Sequence, residues 1–441
     1  MKVKYECNKG IMKFHLTPES DDISSFQIKE NSFKTTYTAS LGMKSCEFHL
    51  PENWTLNSVH PDLLALAAIG IIYPFIGTKI VLPIGVSNEF HHTFENVTGK
   101  KVLPINRQLP PRKAKPDYCP ALVYSGGVDS TVASLLLPKN THLLYLNRIT
   151  PNKYKHVRSL LNQEAAYFAC DWMKKHGRFV HSIKTDVPYI KKPAGFLTFL
   201  TDGASSLLLA DYYGFDCLSN GHTLEEGYQI GYNGYIDAKE SELIKIWDPL
   251  LKVVDLPYCL PTIGLSEVCT SKMILNSPYY EVAHACSRGK VHKPCMKCTK
   301  CFRKTLLEKV VKNEPIDNKL LDQFFKLKDV QRLITKSPIH FENIFTYITS
   351  KYNGNHPIMN ALKKKTRGDI LETSWMEKWN PSSLQYIAPK YQKYITSEIS
   401  KYVKTMNEKD QKNMKNFNYN HITDPTYVSY EQKLKALISK L

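Results

Sequence analysis

At residues 121–131 the chain reads Ala121-Leu122-Val123-Tyr124-Ser125-Gly126-Gly127-Val128-Asp129-Ser130-Thr131. The apolar run before the serines predicts a buried parallel strand, and the segment Ser130 to Leu137 predicts a helix. Two glycines between them suit a tight turn that presents backbone N–H groups to an anion, because side chains there would block that approach. The helix N-terminus adds partial positive charge at the same place. We therefore expect a phosphate-binding loop on a solvent-facing turn.

This loop resembles the pyrophosphate-binding loop of the ATP pyrophosphatases, enzymes that split ATP into AMP and pyrophosphate while they adenylate a substrate. It is not a Walker A loop, because no Gly-Lys-Ser/Thr follows the glycines. A carboxylate in a phosphate cradle repels its ligand unless a metal ion or a hydroxyl lies between them. We therefore expect Asp129 to contact Mg²⁺ or a ribose.

Strands and helices alternate after the loop. Strands are predicted at His142–Leu146, Arg178–Lys184 and Phe215–Asn220, and helices at Gln163–His176 and Phe199–Tyr213. This order predicts an α/β fold with a doubly wound parallel sheet, as in the adenine nucleotide alpha-hydrolase-like folds that carry such a loop. Ligands of these sheets bind at the carboxyl ends of the strands, where the strand order reverses. We expect the loop, Asn147 and Gly221 to share that rim.

The two ends of the chain differ in pattern from this middle part. Residues 1–103 combine short alternating runs with an apolar helix at about Pro61–Tyr73, which predicts a β-rich α+β extension. Residues 104–118 are rich in proline and basic side chains and predict a linker. Residues 119–310 form the predicted ATP pyrophosphatase domain, and residues 311–441 a helical C-terminal extension. His91 and His92 are expected on a strand as ordinary surface histidines, since neighbours on a strand face opposite ways.

The charge of the chain limits its partners. The formal net charge is +18, and residues 301–441 carry +11 of it, with 25 lysines and arginines against 14 acidic residues. Such a balance favours a polyanionic partner, either nucleic acid or an acidic protein, but it also fits a lysine-rich solvated surface. The aromatic residues among these lysines favour helices that pack their rings inward over nucleic-acid contact.

Nothing in the sequence predicts a membrane protein. The first residues lack the long apolar core of a cleavable signal, and the most apolar run, Leu63–Ile76, is too short to span a bilayer. We therefore expect a cytoplasmic location. Eleven cysteines in such a chain argue for metal binding over disulfides.

Four cysteines follow the spacing Cys286-x8-Cys295-x2-Cys298-x2-Cys301. Four thiolates complete a tetrahedral structural zinc site, and the two-residue gaps let the ligands curl around one ion. An iron–sulfur cluster competes with this interpretation, because Cys-x2-Cys-x2-Cys also occurs in cluster ligation. Basic residues around the cysteines favour the thiolate forms: Lys290, Lys293, Lys297, Lys300 and Arg303.

A loop rich in glycine and tyrosine follows the predicted sheet and contains Gly234-Tyr235-Ile236-Asp237. A tyrosine ring offers a face to a flat heterocycle, and an aspartate accepts from an exocyclic amine and a ring N–H. The same composition suits a packing loop, and the residues alone do not separate the two interpretations.

Together the loop, the strand order and the cysteine spacing resemble the 7-cyano-7-deazaguanine synthase family (QueC), over about residues 119–310. The resemblance implies adenylation of 7-carboxy-7-deazaguanine with ATP and Mg²⁺, a structural Zn²⁺ on the four cysteines, and recognition of the deazaguanine by Asp237 with Tyr235 stacking. Asp129 and Ser130 are the predicted catalytic residues. The predicted ATP-binding residues are Ser125, Gly126, Gly127, Asp129, Ser130, Thr131, Asn147 and Gly221.

The chain also departs from the family pattern. Asn147-Arg148-Ile149-Thr150 stands where the family has Gly-Gln-x-His, and its Pro-Gly-Arg-Asn is replaced near Leu197-Thr198-Phe199. A lysine usual in the family falls at Glu267, with Lys272 five residues on. These changes are compatible with ATP use and a deazapurine pocket, but they put ammonia handling and nitrile formation in doubt.

The two extensions resemble those of enlarged QueC-like proteins in bacterial antiphage defence systems, which are thought to join the deazaguanine acid to a protein amine. The leading hypothesis is therefore an ATP-dependent ligase with a protein acceptor. Three alternatives stay open: an ordinary synthase that uses ammonia, a tRNA-modifying enzyme of the same loop class, and a non-catalytic zinc-ribbon protein that binds nucleic acid. Pyrophosphate release on adding ATP and the acid separates the ligase from the last two.

Overall fold

The computed structural model describes residues 1–30, 35–154, 162–231 and 234–441. The strands in these residues are β1 (Lys2–Asn8), β2 (Ile11–Thr17), β3 (Ser25–Glu30), β4 (Thr35–Leu41), β5 (Ser45–His49), β6 (Lys79–Val86), β7 (Lys101–Ile105), β8 (Cys119–Val123), β9 (His142–Arg148), β10 (Phe179–Thr185), β11 (Lys191–Lys192) and β12 (Phe215–Ser219).

The α-helices in the same residues are α1 (Pro61–Ile72), α2 (Asn88–Thr98), α3 (Val128–Leu136), α4 (Glu164–Lys175), α5 (Ala204–Tyr213), α6 (Leu224–Gly227), α7 (Asp248–Val253), α8 (Glu267–Leu275), α9 (Thr299–Val311), α10 (Asn318–Phe325), α11 (Lys328–Thr335), α12 (Glu342–Lys351), α13 (Pro357–Lys365), α14 (Pro389–Ser400), α15 (Glu408–Lys415) and α16 (Pro425–Ile438).

A nine-stranded sheet runs through the molecule in the order β12-β8-β9-β10-β5-β2-β1-β6-β7. Five of its eight pairings are parallel, so the prediction of an α/β fold with a large, mostly parallel sheet is confirmed. A separate three-stranded sheet has the order β11-β4-β3. In β9, Leu144 and Leu146 face one core while Leu143 and Tyr145 face another. This alternation shows that both faces of the sheet are covered.

Strand order places β8 at the reversal point of the parallel half. From β8 the chain moves to β9 and β10 on one side, and it later returns to β12 on the other side. Residues Ala121 and Val123 of β8 pair with His142 and Leu144 of β9, and Ala121 also pairs with Leu218 of β12. The segment after β8 therefore lies where the strand order reverses, which is the ligand position in open α/β sheets.

The N-terminal strands extend this sheet, whereas the sequence suggested a small β-rich unit of their own. β5 pairs antiparallel with β10 through Phe48 and His49, and β2 and β1 follow it. Without β5, the edge of β10 would expose unpaired N–H and C=O groups. The predicted apolar helix is α1, eleven of whose residues are buried.

The proline-rich segment at residues 104–118 is packed against its surroundings. Leu103 to Ile105 belong to β7, and the Arg112 side chain is almost fully buried. The Arg112 guanidinium donates 2.7 Å hydrogen bonds to Asp211 Oδ1 and to Phe215 O. This anchoring fixes the path by which the chain enters β8.

Helices alone follow Cys301 in the described residues, as the sequence predicts. Their aromatic residues pack inward: Phe302, Phe324 and Phe345 are buried together, and the Phe302 and Phe345 ring centroids lie 5.4 Å apart. Tyr391 of α14 donates a hydrogen bond to Asp216 of β12. These C-terminal helices therefore share a core with the sheet.

Candidate functional site

The loop after β8 has the geometry of an anion cradle. Gly126 has a φ of 73°, a left-handed conformation that favours glycine. A Cβ atom at Gly126 would lie 3.1 Å from both His284 Nε2 and Ala169 Cβ. Gly127 is the N-cap of α3, and no described side chain caps this helix end. The first N–H groups of α3 are therefore left for an anion.

Ser130 holds the loop closed. The Ser125 N–H donates to Ser130 Oγ at 3.2 Å, and Ser130 Oγ donates to Gly127 O at 3.2 Å. The two serine hydroxyls lie 3.0 Å apart. Ser130 is only 6% exposed, so the expectation that it lies on a solvent-facing turn is wrong. Its hydroxyl points back into the loop because three loop groups hydrogen bond to it.

The predicted rim residues follow or end adjacent strands of the sheet, and Gly221 is the one shown to touch the loop among the described residues. Gly221, which follows β12, lies so close to the loop that a Cβ there would be 2.6 Å from Ser130 N. Asn147 is the second-last residue of β9, and its Oδ1 accepts a 2.8 Å hydrogen bond from Tyr167. Thr131 is fully buried behind the loop, with Oγ1 3.5 Å from Tyr124 Oη. Its side chain therefore faces the core and not the rim.

Asp129 is the acidic side chain of the loop, and it is 25% exposed. Thr270 of α8 donates a 2.7 Å hydrogen bond to Asp129 Oδ1. Lys304 Nζ of α9 lies 3.5 Å from the same oxygen. Two helices that follow the loop by more than a hundred residues therefore fix this carboxylate.

A buried charge group lies behind Asp129. Arg303 binds Glu267 in a bidentate ion pair, with nitrogen–oxygen distances of 3.0 and 2.8 Å. Although burial opposes it, the charges of Arg303 and Lys304 lower the pKa of Glu267 to about 2. Burial lowers the pKa of Lys304, but Asp129 and Glu267 outweigh it and raise that pKa above the usual lysine range. Lys304 therefore stays charged at neutral pH.

Glu225 joins this group from α6. The Glu267 N–H donates to Glu225 Oε2 at 3.1 Å, and Asn343 Nδ2 donates to Glu225 Oε1 at 2.8 Å. Burial, together with the negative charge of Glu267, raises the pKa of Glu225 to about 7. Asn343 lies on α12, so the predicted C-terminal extension reaches the charge group behind the loop.

The four predicted metal ligands converge. Cys286, Cys295, Cys298 and Cys301 place their sulfurs within 4.8 Å of one another. Neighbouring sulfurs are 3.4 to 3.8 Å apart. Tetrahedral zinc–thiolate bonds of about 2.3 Å require sulfurs about 3.8 Å apart. The cluster can therefore hold one metal ion such as zinc.

The electrostatics of the cysteine cluster favour a thiolate. The Cys301 thiol and N–H stabilise negative charge on Cys298 and lower the pKa of that thiol to about 4. A [4Fe–4S] cluster binds each thiolate to a different iron, which separates the sulfurs further than one shared ion does. Arg303 was expected among the cations around these thiolates, but its side chain is committed to Glu267.

The cysteine segment also supports the loop. The backbone N–H of His284 donates to Gly126 O at 3.0 Å, and the ring nitrogen Nε2 of His284 lies 2.9 Å from Ser125 O. Cys286 follows two residues later, and Lys304 follows Cys301 by three. A cavity of about 320 Å³ opens beside His284 and is also lined by Phe168 and Lys293. A metal ion on the cysteines would therefore stabilise the two segments that touch the loop.

The predicted substrate residues lie under the C-terminal helices. Tyr235 stacks on Tyr228, with ring centroids 5.9 Å apart and an interplanar angle of 20°. Asp237 caps a short 3₁₀ helix, and its Oδ1 accepts a 3.1 Å hydrogen bond from Lys239 N. The Tyr235 N–H donates to Phe417 O at 2.8 Å, so the C-terminal segment fixes this loop.

Sequence reasoning missed four residues that contact the loop or its charge group: Thr270, His284, Lys304 and Asn343. Lys304 alone had a local signal, because it follows the last cysteine of the metal motif by three residues. The others approach the site through tertiary packing, and no spacing in the sequence relates them to the loop.

His91 and His92 lie on helix α2, so the predicted strand is wrong. His91 is buried, and its Nδ1 lies 2.8 Å from Val102 O. His91, His92 and Glu95 bring their ligand atoms within 4.8 Å of one another. Because His91 Nδ1 contacts Val102 O, the other ring nitrogen, Nε2, points to the Glu95 carboxylate at 3.6 Å. These protein contacts explain why the three side chains lie together, without a metal ion.

Residues 246–418 match the model of a family of unknown function (DUF6395). The matched range begins inside the predicted ATP pyrophosphatase domain and ends inside the predicted C-terminal extension. It contains the cysteine cluster, Thr270, His284 and Lys304. No curated protein and no solved structure matches the chain. No helix in the described part of the chain is long and apolar enough to cross a membrane.

Proposed function

We propose that the chain is an ATP-dependent carbon–nitrogen ligase of the QueC-like type. It adenylates a 7-deazaguanine carboxylate, 7-carboxy-7-deazaguanine, releases pyrophosphate and transfers the acyl group to an amine. The observation that carries the ATP step is the uncapped N-terminus of α3 behind the loop Ser125–Gly127, at the reversal point of the sheet.

In the first step, a carboxylate oxygen of the substrate attacks the α-phosphorus of ATP. The bond from that phosphorus to the bridging oxygen breaks, and pyrophosphate leaves with the electron pair. The N–H groups of the loop and of α3 stabilise the charge that develops on the phosphate oxygens. A Mg²⁺ ion that arrives with ATP would be bound by Asp129 and would offset phosphate charge.

In the second step, an amine attacks the carboxyl carbon of the adenylate and AMP leaves, so an amide forms and the amine loses a proton. We propose that Asp129 acts directly in this reaction and that Ser130 acts through the shape of the loop. Asp129 faces the rim as a partly exposed carboxylate, whereas Ser130 maintains the shape of the loop through its buried hydroxyl.

Tyr235 and Asp237 are proposed to recognise the deazaguanine. The partly exposed ring of Tyr235 stacks on the buried ring of Tyr228, and Asp237 is partly exposed two residues away. One Asp237 oxygen is used in the 3₁₀ cap. The second oxygen is proposed to accept from the ring N–H and the exocyclic amine.

The metal is proposed to be zinc with a structural role. All four protein ligands come from cysteines, which leaves no coordination position for substrate. Three of the four cysteines are buried, which also fits a closed site.

The acceptor is proposed to be the amine of a partner protein, as in antiphage-defence modification. Residues 301–441 carry +11, and many of their lysines are exposed. A positive surface attracts an acidic partner and raises the encounter rate. Nucleic acid is the weaker candidate, because Phe302, Phe324 and Phe345 are buried and not displayed for base stacking.

The test mixes the purified full chain with ATP, Mg²⁺ and 7-carboxy-7-deazaguanine and measures pyrophosphate. We expect release that requires the acid, and we expect Asp129→Ala to abolish it. Asp171→Asn is the matched control, because Asp171 is exposed on the neighbouring helix α4. Pyrophosphate release without the acid, or equal release from the Asp129 variant, would refute the proposal.

The acceptor is tested by mass spectrometry of candidate acidic proteins after the same reaction. We expect a mass gain on one of them that becomes smaller as ionic strength rises, because salt screens a charged docking surface. Efficient conversion of the acid and ammonia to the nitrile, with no protein modified, would favour an ordinary synthase.

A further inference from the structure

Lys304 is a buried ammonium next to the loop. Its side chain is 4% exposed, and its Nζ lies 3.5 Å from Asp129 Oδ1 and 3.4 Å from Glu267 Oε2. Neither contact is aligned as a hydrogen bond, and Nζ makes no hydrogen bond among the described residues. An ammonium group carries three N–H donors, so a buried one without aligned acceptors is costly.

The two nearby carboxylates offset the charge of Lys304, but neither accepts an aligned hydrogen bond from it. Glu267 already has a bidentate partner in Arg303, at 2.8 and 3.0 Å. Asp129 already accepts a 2.7 Å hydrogen bond from Thr270 and is partly open to the rim. The positive charge of Lys304 therefore lies next to the loop, and its two neighbouring carboxylates, Asp129 and Glu267, hydrogen bond to other residues.

Lys304 lies where it would contact an anionic ligand of the loop, provided that this ligand is more negatively charged than the Asp129 carboxylate. Asp129 lies in the first turn of α3, at the helix end that favours an anion. A phosphate chain placed there would be repelled by the Asp129 carboxylate unless a cation stood beside both. Lys304 stands beside Asp129, and its donors are directed to no acceptor of the described residues.

We propose that Lys304 is a phosphate ligand of this site: its ammonium binds an oxygen of the polyphosphate of a nucleoside triphosphate, or of the pyrophosphate product, in the loop Ser125–Ser130. This inference rests on the proposed function and adds a ligand from outside the loop motif. Lys304 reaches the loop because α9 begins within the cysteine cluster and packs against α8, which in turn packs against α3. The metal segment therefore delivers a charge to the nucleotide site as well as stabilising the fold.

The test measures binding of two probes, inorganic pyrophosphate and ATP with Mg²⁺, by isothermal titration calorimetry. Lys304→Met removes the charge at similar side-chain length. A charge-assisted hydrogen bond accounts for roughly a tenfold to hundredfold change in affinity, so we expect both probes to bind more weakly by that factor. Lys309→Met is the matched control, because Lys309 lies on the same helix and pairs with the exposed residue Glu314 at 3.2 Å.

Thermal unfolding is measured in parallel. If Lys304→Met does not fold, Lys304→Gln keeps a donor without the charge and should show the same loss of affinity. Unchanged affinity for both probes in a folded Lys304 variant would overturn the inference, even if the variant were less stable. Failure of the wild-type chain to bind either probe would overturn the proposed function, and the inference with it.

Discussion

The two halves of the nine-stranded sheet differ in what lies at their strand ends. In the parallel half, the carboxyl ends of β12, β8 and β9 point to the same edge of the sheet, where Gly221, the loop and Asn147 lie. In the other half, β5, β2 and β1 are antiparallel, so successive ends lie at opposite edges. The described residues of that half form a core with α1 and α2.

This difference shows how the topology places the chemistry. Parallel strands collect the residues that follow them at one edge, whereas antiparallel strands separate theirs. The cysteine cluster and Lys304 also attach to the parallel half, through His284 and Asp129. Variants in the parallel half should therefore alter nucleotide chemistry, and matched variants in the antiparallel half should alter stability alone.

The largest effect is expected from removing a ligand of the metal. Cys298→Ser should release the ion and lower the free energy of unfolding by several kcal/mol, since metal affinity and folding are coupled. Nucleotide binding should fall with it, because the cysteine segment holds the loop. Cys7→Ser, in β1, is the matched control. Elemental analysis should give about one zinc per chain for wild type and control; iron, or a metal-free wild type, would contradict this account.

Asp129→Asn comes next. We expect pyrophosphate release to fall by roughly two to three orders of magnitude, as when one group that stabilises transition-state charge is removed. The melting temperature should fall less than in Asp62→Asn, because Asp129 is partly exposed whereas Asp62 is fully buried. Asp62→Asn should instead lower the melting temperature and leave pyrophosphate release nearly unchanged, since buried Asp62 accepts two 2.7 Å hydrogen bonds from Ser87. Similar loss of turnover in both variants would remove the distinction between the halves.

A third prediction concerns pH. Burial raises the pKa of Glu225 to about 7 in the folded state. Between the ordinary pKa of a glutamate and pH 7, this carboxyl therefore keeps a proton in the folded chain that it has lost in the unfolded chain. The free energy of unfolding therefore falls as pH rises from about 4.5 to 7, by about 3 kcal/mol from this group. Glu225→Gln should lack this component in urea unfolding at pH 5 to 8. Parallel curves for wild type and variant would show that Glu225 titrates normally.

The smallest effect is expected at the substrate loop. Asp237→Asn should weaken binding of 7-carboxy-7-deazaguanine roughly tenfold to a hundredfold, since it removes a charge-assisted pair. ATP affinity should stay unchanged, because no contact among the described residues joins Asp237 to the loop at 125–130. Glu240→Gln is the control, as Glu240 is exposed three residues away. An equal loss of both ligands would mean that the loop at 234–237 has a different role.

The sequence predicts the parts of this site that are local in the chain. The loop, the alternating strands and the cysteine spacing each occupy a short stretch, so their geometry follows from neighbouring residues. Thr270 and Lys304 reach Asp129 across more than a hundred residues, and only packing brings them there. In the N-terminal half, the alternating pattern predicts strands but does not specify that β5 pairs with β10.

Two predictions from the sequence, a strand at His91–His92 and an exposed Ser130, are wrong for physical reasons. Helix α2 begins after Ser87, whose Oγ accepts from Phe90 N, and ends at Gly99 with a φ of 69°. These are ordinary helix start and stop signals. Ser130 was expected in solvent, but the closure of the loop requires its hydroxyl inside.

The proposed function requires that ATP bound at the loop after β8 react with the substrate carboxylate to give an acyl adenylate. The most direct measurement is exchange of labelled pyrophosphate into ATP by the purified full chain, because exchange requires reversible adenylation and no acceptor. We predict exchange that depends on 7-carboxy-7-deazaguanine and is lost in Asp129→Asn. Absence of exchange in a folded, metal-loaded chain that binds both ATP and the acid would contradict the account.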